Sequence, residues 1–409
     1  MSNLQEKLAF LRRKIASIEP PAFSPIGPAA PAEERKSIDQ WIDGAVIATE
    51  RGSHFESERA WKNHQRHGNV YVSDLQEVER NWLAAISDGA LADVDPRRVV
   101  FLDTETTGLA GGSGTYAFLI GVGALDEHGF SLKQYFLRDY TDEPSQLTAL
   151  AADLEKYDVL VTYNGRAYDQ PLLETRFRMS RMKPPFARMT HLDLLYGARR
   201  LYKLQLDSCR LVHLEGEILG VERIDDLPGA LIPNLYFDYL RTGAAHRMAS
   251  IFEHNAFDIL SLACLTGIIP RAFHAPLEVP LRRGAEMVGL ARWLRGADRI
   301  DEAITLFRRG LAAGLNDELA FRTTWDCALL EKKRGNEAAS VELFTELIGT
   351  PNPHRAGAFE ELAKYYEHIE KNYLLALDLT EQALSFAPCE PLQRRRSRLE
   401  KKAISRRLL

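Results

Sequence analysis

The stretch VVFLDTETTG, residues 99–108, decides how the rest of the chain is read. Val99 to Leu102 are apolar and favour a strand, and two acids follow at Asp103 and Glu105. Side chains alternate along a strand, so these two carboxylates share one face. Like charges on an otherwise apolar strand repel each other and resist desolvation unless a cation compensates them. Carboxylate oxygens of this kind suit Mg²⁺ or Mn²⁺. The competing reading is a strand end that reaches solvent, where Asp and Thr terminate pairing.

Outward from this strand, Tyr116–Val122, Leu132–Leu137 and Val159–Tyr163 are further β-favouring runs. Gly111–Gly114 and His128–Gly129 separate the first three at hairpin-like spacing. Helical patterns then dominate, over Asp169–Met182, Ser208–Leu219 and Met248–Ile268. Hairpins followed by a strand and helices predict a mixed α/β sheet. Two of these segments carry acids. VLVTYNGRAYDQPLL (159–173) brings Asp169 into the first turn of a helix, where the helix dipole alone would favour it. IFEHNAFDILSLACL (251–265) sets His254 and Asp258 four apart, on one helix face; a plain surface His–Asp pair would look the same.

The ordered set is more telling than any member. Asp-x-Glu on a strand, Asp after a second strand and His-x-x-x-Asp on a late helix resemble the three exonuclease motifs of the DEDD superfamily. The resemblance spans about residues 98–270. The whole chain is similar to bacterial YprB-like, ribonuclease H-like proteins with tetratricopeptide-like helices. GLAGGSGTYAFLIGVG and HNAFDIL support that closer likeness. It implies an α/β ribonuclease H-like fold, a mixed sheet with helices, followed by an all-α tetratricopeptide-like repeat domain. It further implies that Asp103, Glu105, Asp169 and Asp258 hold two divalent ions, Mg²⁺ or Mn²⁺, for phosphodiester cleavage. His254 would orient or deprotonate the attacking water. Its spacing to Asp258 is that of the superfamily's Tyr branch, although the residue is the His of the other branch.

The chain has 409 residues, 45% apolar and 27% charged, with a formal charge of −5. That composition excludes collagen-like, mostly disordered and disulfide-scaffold classes. Four scattered cysteines without a Cys-x-x-Cys pair fit a reducing, cytoplasmic setting. No uninterrupted apolar run approaches the ~20 residues a membrane span requires, so no membrane association is expected. The predicted organisation is a helix and Pro-rich linker over 1–35, a small accessory β unit over 36–95 and the nuclease-like domain over 96–275. Helical repeats over 284–390 and a basic tail over 391–409 complete it. The repeats align on Ala303, Ala339 and Ala376, at spacings near the ~34 residues of tetratricopeptide units. They offer a concave surface for a protein partner or for nucleic acid.

Between Arg176 and Lys203 lie eight Lys or Arg and a single acid, Asp193, with Tyr196 and Tyr202 interleaved. Phosphates attract such a cluster and aromatics stack unpaired bases, which makes Asn164, Arg176, Arg199, Arg200 and Lys203 candidate nucleic-acid contacts. A solvated helix face reads equally well. Asp193 is a fifth carboxylate near the site or a helix-start Asp. Arg394 to Arg407 hold eight Lys or Arg and one acid. The expected function is a metal-dependent 3′–5′ exonuclease on single-stranded DNA or RNA. The alternative is a non-catalytic adaptor binding nucleic acid or protein.

Overall fold

In a computed structural model of the chain, residues 37–87, 91, 95–108, 114–223 and 227–407 are described. The helix and linker expected over 1–35 and residues 111–113 of the Gly-rich turn lie outside them. The first half contains β1 (Ala45–Thr49), β2 (Gly52–Lys62), β3 (Arg66–His67), β4 (Val70–Tyr71), α1 (Arg80–Ile86), β5 (Val99–Thr106), β6 (Ala117–Asp126) and β7 (Gly129–Phe136). Then come α2 (Glu143–Leu154), β8 (Val159–Thr162), α3 (Asp169–Met179), β9 (Thr190–Asp193), α4 (Leu194–Tyr202), α5 (Leu211–Leu214), α6 (Ile232–Thr242) and α7 (Met248–His274). The rest is helical: α8 (Gly284–Gly296), α9 (Ile300–Ala312), α10 (Asp317–Lys333), α11 (Glu337–Ile348), α12 (Arg355–His368), α13 (Tyr373–Phe386) and α14 (Glu390–Arg407).

Seven strands form one mixed sheet in the order β1-β2-β7-β6-β5-β8-β9. Hairpin connections make β5, β6 and β7 antiparallel, whereas the crossovers through α2 and α3 leave β8 and β9 parallel to β5. The accessory unit expected over 36–95 is corrected here: β2 pairs with β7 from Phe55↔Phe136 to Lys62↔Gly129 and so extends the main sheet. The reason is the bare edge β7 would otherwise present, since most of its side chains are buried and its outer N–H and C=O groups need partners.

β5 alternates between two cores. Val99 and Phe101 pack with Val159, Val161 and the α7 residue Ile259. Val100 and Leu102 pack with Ile120, Leu150, Leu173 and Phe177, on the side of α2 and α3. The same alternation turns Asp103 and Glu105 toward α7 and Thr104 toward α3. By length and mean hydropathy, the helical stretch Ala245–His274 could cross a membrane, yet 72% of its most apolar window is buried in protein. The sequence reading missed it because Glu253, His254, Asn255 and Asp258 interrupt the run.

The helices from α8 onward pack each on the next as three pairs plus α14. Each pair turns through a left-handed residue, Asp298, Gly335 or Lys371, and a small buried residue follows five places later: Ala303, Ser340, Ala376. Sequence alignment had put Ala339 at the middle position; the turn geometry moves it by one. Val288, Phe307, Cys327 and Leu330 belong to the same core as Phe101, so the hydrophobic interior runs through the expected boundary near 275–284. The basic tail is also corrected: residues 390–407 form helix α14, and Arg395, Arg398 and Lys402 all bind the buried Glu367 carboxylate.

Candidate metal centre

β5 carries Asp103 and Glu105 to the face where α7 presents His254 and Asp258. One ligand atom each from Glu105, His254 and Asp258 lies within 4.8 Å of the other two. Asp103 lies close enough to feel three carboxylates. Burial raises its carboxyl well above the usual range, and the charges of Asp258, Glu105 and Asp169 raise it further. Asp169 opens α3 and reaches the sheet through Thr104, whose Oγ1 donates to its carboxylate. Burial, opposed by that hydrogen bond, leaves Asp169 at about 6. Asp258 is likewise raised by burial, against the pull of His254 and Arg223. The four acids and His254 therefore share one electrostatic neighbourhood, and their donor set of carboxylate oxygens and an imidazole fits a divalent cation.

A row of residues across the sheet fixes how deeply α7 sits. Asp103 pairs with Gly121, and Gly121 with Gln134. Asn255 is fully buried over that row. It donates to Asp103 Oδ2 at 2.9 Å and accepts from Gln134 Nε2 at 2.9 Å. A Cβ on Gly121 would come within 2.2 Å of both Asn255 Oδ1 and Ile259 Cδ1, so only glycine lets the helix approach. The β8–α3 turn is equally constrained. Asn164 is left-handed at φ 68°, and a Cβ on Gly165 would meet Asp169 Oδ2 at 2.8 Å. Asp193 holds this turn: its carboxylate accepts from the Asn164, Arg166 and Leu195 amides at 2.8, 3.1 and 3.1 Å. The last of these makes it the N-cap of α4, the helix-start role.

Arg223 escaped the sequence reading. Its guanidinium makes a two-pronged pair with the buried Glu215 at 2.6 and 2.7 Å and also binds Asp258. Its Nη1–H donates to His254 Nδ1 at 3.1 Å. An arginine can only donate, so Nδ1 accepts and the neutral ring carries its proton on Nε2, 3.7 Å from Asp258. A base role for His254 Nδ1 thus requires Arg223 to withdraw. No spacing signal marks Arg223, because its partners lie 8 and 35 residues away. Gly121 escaped the sequence reading too, although glycines inside a strand, here Gly121 and Gly123, mark close approach of another element.

The candidate nucleic-acid residues divide. Arg176 is only 2% exposed and is bound on both prongs by Glu143 at 2.6 Å, with its guanidinium over the Tyr116 ring. It is a buried structural cation, which corrects the expected contact. Arg199 and Arg200 on α4, and Lys203 just after it, are exposed. Asn164 stays in the turn beside the acids.

A family profile described as RNase_H superfamily matches residues 100–269, the segment that holds all these acids. The chain is also 34% identical over 354 residues to the uncharacterized protein YprB of Bacillus subtilis (strain 168), covering 83% of this chain and 84% of that one. On the sheet order, the profile match and this similarity over most of both sequences, the chain belongs to the ribonuclease H-like family that includes YprB.

Proposed function

We propose that the chain is a metal-dependent nuclease, a 3′–5′ exonuclease of the DEDD type acting on single-stranded DNA or RNA. The observation that carries this reading is Asp103, a carboxyl raised by burial and then by three neighbouring acids on the face where the sheet meets α7. Such repulsion is costly in a fold unless a cation is meant to relieve it. Asp103, Glu105, Asp169 and Asp258 would hold two ions, Mg²⁺ or Mn²⁺. Bound there, they would polarise the phosphodiester and stabilise the departing oxygen. The protein's own part is positional: Asn255 aims Asp103, Thr104 aims Asp169, and Arg223 sets the ring of His254. His254 is assigned to the attacking water, as orienter or base. The helix pairs after residue 284 are read as tetratricopeptide-like, and a cytoplasmic location accords with the four free cysteines.

One observation favours a second reading. Arg223 already pairs with Asp258, a contact that a metal-free adaptor would keep. Cleavage of 5′-labelled single-stranded DNA and RNA by wild type and Asp103→Ala, with Mn²⁺, Mg²⁺ or EDTA, separates the two. A metal-dependent ladder lost in the variant supports the nuclease. No cleavage under any metal leaves the adaptor. A closed circular substrate distinguishes exonuclease from endonuclease, since an exonuclease leaves it intact.

A further inference from the structure

A cleft of about 880 Å³ opens between the outer edge of the sheet and α8, the first of the C-terminal helices. Its lining includes Arg166, Tyr196, Arg199, Arg200, Lys203 and Arg292. The one acid that lines it, Asp193, is buried and occupied by three backbone amides. Among the described residues no carboxylate pairs with Arg199, Arg200 or Lys203. Arg200 lies over the Trp293 ring of α8, 5.2 Å from its centroid, which joins the two walls.

None of the four acids lines the cleft, but its wall includes the turn that brings Asp169 to them. Arg166 sits in the turn that delivers Asp169 three residues later, and its guanidinium donates to the His191 carbonyl at 2.5 Å. The His191 ring, also in the lining, bonds Thr162 at 2.8 Å and Gln170, the neighbour of Asp169. Tyr196 projects among the cations with half its surface exposed. An exposed aromatic beside unpaired cations is a platform for an unstacked base and its phosphate; a duplex keeps its base faces covered.

We infer that this cleft, shared by the nuclease-like sheet and α8, binds the backbone and bases of a single strand leading to the acid cluster. The inference rests on the nuclease reading for the strand's destination. It goes beyond that reading by making the first C-terminal helix part of the substrate site. Arg166, Arg199 and Lys203 hold phosphates, Tyr196 stacks a base, and the half-buried Arg292, 3.7 Å from an Asp326 carboxylate it shares with Arg295 and Arg322, adds charge from the C-terminal wall.

The test measures binding apart from cleavage. Fluorescence anisotropy with a labelled oligothymidylate or oligouridylate of about 20 nucleotides, in EDTA, is compared over a salt series for the full chain. For Arg199→Glu/Lys203→Glu, affinity should fall at least about tenfold and the salt slope should flatten by about 1.4, near 0.7 for each lost phosphate contact. Arg292→Gln should flatten it by about 0.7, which tests the C-terminal wall directly. Tyr196→Ala should weaken binding about tenfold with the slope unchanged. Circular dichroism and melting temperature check that each variant is folded. The better-bound oligonucleotide names the preferred sugar, and a blunt duplex should bind more weakly than either. Wild-type binding by the double variant overturns the inference, as does equal binding of the duplex. If wild type cleaves with Mn²⁺ while the double variant binds unchanged, the cleft fails and the nuclease stands. If the cleft variants lose binding in a chain that never cleaves, the nuclease reading fails and the cleft stands.

Discussion

Two buried carboxylate centres, one in the sheet half of the chain and one among the C-terminal helices, are built on opposite charge arithmetic. At Glu367 a single carboxylate meets Arg395, Arg398 and Lys402, and although burial works against it, those cations lower its pKa to about 2. At Asp103 several carboxylates crowd together and the carboxyl is raised instead. Arg223 supplies a charge to Asp258, but it is already shared with Glu215. A centre that only holds a fold together satisfies itself. The under-compensated one is left waiting for charge from outside, which is how binding sites differ from structural ion pairs.

The contrast can be broken most sharply at Asp103. Asp103→Asn should lower nuclease activity about a thousandfold or more, as expected for one member of a unit that acts together. The same change should raise the melting temperature in EDTA, because a carboxyl with a raised pKa destabilises the folded state at neutral pH. A cleavage assay beside a thermal melt reads both, and a fall in stability would contradict the repulsion argument. At the other centre, Glu367→Gln should cost about 2 kcal/mol in urea unfolding, since it removes the charge that holds the largely buried Arg395 and the half-exposed Arg398 and Lys402. An effect under about 1 kcal/mol would make the α14 contact incidental.

Arg223→Met tests whether cations are interchangeable at the acid cluster. It should destabilise the chain by about 2 kcal/mol in EDTA, and Mn²⁺ should narrow the gap by supplying the missing charge. A gap that stays constant across a Mn²⁺ titration would sink the idea. The smallest effect is in pH. His67 and His191 are held neutral chiefly by burial, with pKa values of about 4. A histidine whose folded pKa lies below its unfolded value stabilises the fold above about 6.5 and loses that contribution as pH falls toward 4. Moving from about pH 7 to about pH 5.5 should cost about 1 kcal/mol per histidine, while Glu367 keeps its contribution throughout that window and loses it only as pH falls from about 4.5 through about 2. His67→Asn should flatten the pH slope in that window, as followed by denaturant midpoints.

What the sequence made legible follows from how local each signal is. Asp103 with Glu105, and His254 with Asp258, stand in strand and helix patterns only a few residues long, so each pair's shared face could be read directly, whereas the meeting of those faces with Asp169 came only from the resemblance. Arg223, Glu215 and the Gln134–Asn255–Asp103 chain depend on which strands pair and in which register, and no short window holds that information. Arg176 was misread for the same reason: its partner Glu143 lies 33 residues upstream, and charge density alone cannot separate a buried pair from an exposed one. The β2–β7 pairing was hidden likewise, since a hairpin that ends a separate unit and one that extends a neighbouring sheet share one local pattern.

The glycine at 121 has a consequence for how this protein can vary. It bears no donor, charge or nucleophile, yet the reach between the acids of the strand and those of the helix is gauged by its missing methyl group. A change there would leave every chemical group in place and spoil their spacing, so a vulnerable position in the centre is one that no inventory of reactive side chains would include.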